Sequence, residues 1–145
     1  VPQSLKPWIY RNPIEQLSHG KTARELLKAI PENASVSATN TLVPHLANRE
    51  ILLRFPSLYK YKNRSGEIKL VQWIAIDFPY HRRYAHIYKK HKRDLKLLIK
   101  DLNNIDNYYA IQEYKKGVMI FKLGGDRDPK SQKELQYLIN DAKSL

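Results

Sequence analysis

Residues 70–78, LVQWIAIDF, are nearly continuous in apolar side chains. A strand with one wet face alternates apolar and polar residues, whereas a strand without alternation suits cover on both faces. Such a segment has to be sandwiched, so the rest of the chain must supply elements for both sides of a sheet. At 145 residues the chain is one ordinary domain, long enough to bury about two thirds of its unfolded surface.

The neighbouring segments supply those elements. Thr22 with Glu25 three residues on forms a capping box, predicting a helix through Leu26, Leu27 and Ile30 that Pro31 closes. Residues 35–39 and 51–55 are short strands, and Asn40 between them is placed to cap a short helix over 41–48. Two apolar runs, 108–114 and 118–123, flank Lys115-Lys116-Gly117, where glycine can take the positive φ of a tight hairpin. Pro129 after Asp128 opens a last helix with Leu135, Leu138, Ile139 and Ala142 along one face. This order predicts an α/β fold: a layered, mixed but mostly parallel sheet, Rossmann-like in its first half, with a C-terminal antiparallel hairpin and flanking helices. Residues 20–145 form that single domain. Residues 1–19, which contain three prolines, are expected as an extended lead-in.

Charge is concentrated in one place. The chain carries a net +12. Arg82, Arg83, Lys89, Lys90, Lys92, Arg93, Lys96 and Lys100, offset by Asp94 and Asp101, supply half of it. In the same segment Tyr84, Ile87, Tyr88, His91, Leu95, Leu98, Ile99 and Leu102 recur at the period of one helix face. One face is therefore core, and the basic face opposite is a candidate contact for an anionic surface. No aromatic residues interleave on the charged face of this helix, and most of its charges are lysine, which suits nonspecific phosphate contact better than base reading. A soluble nucleic-acid-binding module is the alternative reading.

Most familiar chemistries are missing from the sequence. There is no cysteine, hence no disulfide, thiolate metal site or cysteine nucleophile. HGKT at 19–22 lacks the glycine and preceding strand of a phosphate loop, Glu15 standing where the glycine belongs. His81, His86 and His91 are spaced by five, which points helix neighbours about 140° apart and matches no zinc pattern. No serine sits in a nucleophile elbow, and no cofactor or metal is implied. One constellation remains. Asn40, His45, Arg49 and Asp77 fall near the carboxyl ends of the expected strands, where α/β sheets place ligands. They form a candidate anion or glycan site. Against it stands a structural role for each: Asn40 as a cap, His45 bonded to a loop, Arg49 paired with Asp77 or Glu50.

Residues 30–56, IPENASVSATNTLVPHLANREILLRFP, resemble a specific pattern, I-P-x-x-A-x-V-S-A followed by L-x-P-H-L-x-x-R and a strand ending F-P. Ile30, Pro31, Ala34, Val36, Ser37, Ala38, Leu42, Pro44, His45, Leu46, Arg49, Phe55 and Pro56 carry it. The pattern resembles that of a bacterial family of predicted polytopic membrane proteins of unknown function, similar in turn to C-type glycosyltransferases that use lipid-linked sugars. WIAIDF and YKKGVMIFKLG extend the resemblance to about residue 125. The basic helix and residues 57–69 have no counterpart in it. The resemblance implies a soluble C-terminal domain on the extracytoplasmic (periplasmic) face, with no catalytic residue of its own, since the family's acid lies on a loop near the N-terminus. Its partners would be the membrane segments of its parent chain and anionic lipid or lipid-linked sugar. Val1 in place of Met fits the expectation of a fragment. Pro2, Lys6, Pro7, Trp8, Tyr10 and Arg11 then suit a membrane-exit linker, because aromatic and basic residues favour the interface.

Overall fold

A computed structural model of the chain describes residues 13–78, 89–115, 117–126 and 129–143. The expected linker residues Pro2, Lys6, Pro7, Trp8, Tyr10 and Arg11 lie outside these. The elements are α1 (Pro13–Leu27), β1 (Val36–Ala38), a 3₁₀ turn (Val43–Leu46), β2 (Leu52–Arg54), β3 (Lys60–Lys62), β4 (Ile68–Leu70), β5 (Trp73–Asp77), α2 (Lys89–Ile105), β6 (Tyr109–Lys115), β7 (Val118–Leu123) and α3 (Pro129–Lys143).

Five strands make one mixed sheet in the order β2-β1-β5-β7-β6. β1 pairs parallel with both β2 and β5, while β5–β7 and β6–β7 are antiparallel. The hairpin forms where the sequence places it, with Gly117 at φ 80°. The run at 70–78 is covered on both faces for the expected reason. Ile74 and Ile76 join one apolar cluster with Leu95, Leu98, Leu102 and Ile105 of α2 and Leu135 and Ile139 of α3. Ala75 between them faces a second cluster with Ala23, Leu26 and Leu27 of α1 and Leu42 and Leu46 around the 3₁₀ turn. Alternate residues of one strand thus point to opposite sides, and each side has its own helices.

Several expectations change. α1 starts at Pro13, so residues 13–19 are helical rather than extended. Thr22 does not cap a helix: it sits inside α1 and is buried. A short polar residue with a glutamate three positions on satisfies the capping pattern in sequence, but here the helix already runs through it. The parallel strands of the first half are not joined by helices. A 3₁₀ turn lies between β1 and β2, and the separate two-stranded sheet β3–β4 between β2 and β5. β3 and β4 occupy the connection at 57–69, whose Asn63–Gly66 turn is closed by Gly66 N–H donating to the Asn63 carbonyl at 3.0 Å. That crossover suffices to set β5 parallel to β1.

Polar groups inside the fold are used as ties. The Tyr109 hydroxyl, buried among the α2 cluster, donates to the Val71 carbonyl at 2.5 Å. Burial, with a smaller contribution from Tyr59, raises the Tyr109 phenol above its ordinary value. Because the unfolded phenol ionises near pH 10 and the folded one resists, this stability is complete below that pH and is lost as pH rises above it. Tyr109→Phe should remove most of that alkaline dependence, and at neutral pH should cost about 1–2 kcal/mol for the orphaned carbonyl. Urea unfolding at neutral pH and above pH ~10 measures both effects.

Candidate functional site

The carboxyl ends of β1 and β5 meet in a small polar knot. Thr39, fully buried, donates its N–H to the Ala75 carbonyl at 3.1 Å, and its hydroxyl oxygen accepts the Asp77 N–H at 3.0 Å. The Thr41 hydroxyl donates to the Asp77 carboxylate at 3.2 Å. Asp77 is 4% exposed, so its carboxylate serves first to hold the two strand ends together. Asn40, next to this knot, is exposed. It caps nothing: the 3₁₀ turn begins after Leu42, with no side-chain cap.

His45 and Arg49 belong to a different place. Both line an open cleft of about 630 Å³ between the end of α1 and the 3₁₀ turn, together with Arg24, Lys28 and Glu32. Neither Asn40 nor Asp77 lines it. The expected pairing of Arg49 with Asp77 or Glu50 is replaced by bonds to backbone. Its guanidinium donates to the Pro31 carbonyl and, at 3.2 Å, to the Ile30 carbonyl. These groups lie just beyond the end of α1, where main-chain carbonyls lack helical partners. Glu50 instead pairs with Arg64 at 3.3 Å. Burial lowers the Arg49 pKa, and Glu32 partly opposes that shift.

The four residues grouped in the sequence therefore divide into a structural knot and a cleft. Arg24 and Lys28, absent from the sequence grouping, join the cleft. Their spacing of four is the signal that could have found them, since residues four apart share a helix face.

α2 divides in the same way. Leu95, Leu98, Ile99 and Leu102 are buried, and Arg93, Lys96 and Lys100 are exposed. Lys89, Lys90 and Lys92 enter the description only as helix backbone, and Arg82 and Arg83 lie outside it. Asp101, expected to offset the basic face, is 6% exposed and turned into the fold. Among the described residues there is no group of three or more His, Asp or Glu side chains placed to hold a metal. No helix among them is long and apolar enough to cross a membrane.

A family model described as "Predicted membrane protein (DUF2079)" matches residues 1–120. No curated protein and no solved structure matches the chain. With most of its length inside that match, the chain belongs to the DUF2079 family of predicted membrane proteins, a family of unknown function.

Proposed function

We propose that this chain is a water-exposed auxiliary domain of a polytopic membrane protein, lying on its extracytoplasmic face, and that the basic side of α2 rests against anionic headgroups. Membership of a predicted membrane protein family supports the setting. The observation that carries the reading is α2 itself: its apolar side is buried in the core while Arg93, Lys96 and Lys100 remain exposed. The buried side anchors the helix without any ligand, so the cations are available to a second partner. Lysine and arginine beside an anionic bilayer attract it within a Debye length. The resemblance to lipid-linked-sugar glycosyltransferases supports a non-catalytic role in which this domain shapes a substrate cleft and the reacting carboxylate belongs to another part of the protein.

Co-sedimentation with phosphatidylglycerol vesicles at low salt tests the surface. Replacing Arg93, Lys96 and Lys100 together by glutamine should weaken binding at least about tenfold, with neutral phosphatidylcholine vesicles binding neither form. Equal binding to anionic and neutral vesicles would overturn the reading. Binding to duplex DNA with a steep salt dependence, without a preference for anionic vesicles, would move the function to nucleic acid.

A further inference from the structure

We propose that the cleft between the end of α1 and the 3₁₀ turn binds the phosphate group of a small phosphorylated molecule. Three fixed cations, Arg24, Lys28 and Arg49, line it with one carboxylate, Glu32. That leaves a surplus of two positive charges before His45 is counted. A carboxylate ligand would neutralise half of the surplus, whereas the dianion of a phosphate monoester matches it.

The cations come from separate pieces of the chain. Arg24 lies in the last turn of α1 and Lys28 directly after it. His45 lies in the 3₁₀ turn, and Arg49 in the loop before β2. Chain segments this far apart converge only in the folded state, so the charge cluster is a product of the fold rather than of a basic run. Among the described residues no ion pair consumes these charges; Glu50, next to Arg49 in sequence, is taken up by Arg64.

Arg49 gives the site its rigidity. It is half-buried, and the carbonyls of Ile30 and Pro31 fix its guanidinium. A guanidinium has five N–H donors, so two carbonyls leave others for a ligand. Planar, pre-oriented guanidinium groups suit phosphate oxygens better than a mobile ammonium does. The cleft of about 630 Å³ falls within the roughly 300–1,000 Å³ of small-molecule sites and is far larger than phosphate itself. Leu27, Ile30 and Leu46 also line it, giving the organic part of the ligand an apolar surface. The phosphate could be free in solution or part of a lipid headgroup, and the inference holds whether or not α2 faces a bilayer.

Amide chemical shifts of this chain, followed by NMR during titration with inorganic phosphate and with glycerol phosphate, test the site. Shifts should concentrate at residues 24–32 and 43–49. Lys28→Glu, an exposed position, should weaken the affinity about tenfold without changing the unfolding midpoint. Lys69→Glu, on the exposed β4 strand, should leave it within about twofold. If shifts spread over surface lysines generally, or if both variants weaken binding equally, the inference fails. Phosphatidylglycerol vesicles distinguish the source. Perturbation of the same cleft amides by vesicles identifies a lipid headgroup, whereas response to glycerol phosphate alone identifies a soluble ligand.

Discussion

Leu98→Ala should lower the stability of this domain by about 3–5 kcal/mol, the range for a buried leucine whose cavity cannot collapse. Leu98 is fully buried in the cluster where α2 meets Ile74 and Ile76 of β5, Met119 and Phe121 of β7, and Ile139 of α3. Rigid elements surround it, so the void left by the missing atoms would persist. Domains are typically stable by about 5–15 kcal/mol, so one side chain would account for a large share. Lys96→Ala, two residues away and exposed, should change stability by less than about 0.5 kcal/mol. Urea denaturation followed by circular dichroism, with the slope held equal between variants, measures both. Similar values for the two substitutions would mean that α2 does not pack as described, and the proposal for its basic face would lose its footing as well.

Asp101→Ala should cost about 2–3 kcal/mol, an effect that a surface carboxylate would not produce. The Asp101 carboxylate accepts the Ser57 N–H at 2.7 Å, joining α2 to the turn that leaves β2. Ser57 has φ 91°, a left-handed conformation that a side chain opposes. The same turn is tied on its other side by the Ser37 hydroxyl, which donates to the Leu58 carbonyl. Removing the carboxylate orphans an N–H at a point that is already unfavourable locally. Asp101→Asn keeps an acceptor but loses charge assistance, and should cost about 1 kcal/mol. Adding Ser57→Gly to Asp101→Ala should recover part of the loss, because glycine adopts positive φ readily. An unchanged unfolding midpoint in Asp101→Ala would show that the turn does not depend on this bond.

The motifs of residues 30–56 resemble a family of predicted membrane proteins of unknown function, and the family match over residues 1–120 agrees with that resemblance. The structure divides the grouping of Asn40, His45, Arg49 and Asp77 between two places. His45 and Arg49 share a cleft, but Asp77 is committed to Thr39 and Thr41 and Asn40 caps nothing. Proximity to strand ends does not say which side chains turn outward. Here the Asp77 carboxylate accepts from the Thr41 hydroxyl while the Asp77 N–H donates to the Thr39 hydroxyl, and both bonds hold the residue in the knot.

The local pattern of this sequence determined a good deal. The apolar stripe of α2, the two-sided burial of β5, the β6–β7 hairpin with its glycine, and the start of α3 at Pro129 all depend on residues close in the chain. Helical period, strand period and turn chemistry act over such short spans, so they are legible without the fold. The tertiary structure alone decided the rest. Arg49 finds the Pro31 and Ile30 carbonyls 18 and 19 residues away, Asp77 finds Thr39 across 38, and Ser57 finds Asp101 across 44. β5 runs parallel to β1 because the β3–β4 hairpin carries the chain back between them. Each of these partners is chosen by which polar groups the packing of apolar faces brings within about 3 Å, and no short stretch of sequence contains both halves of the pair.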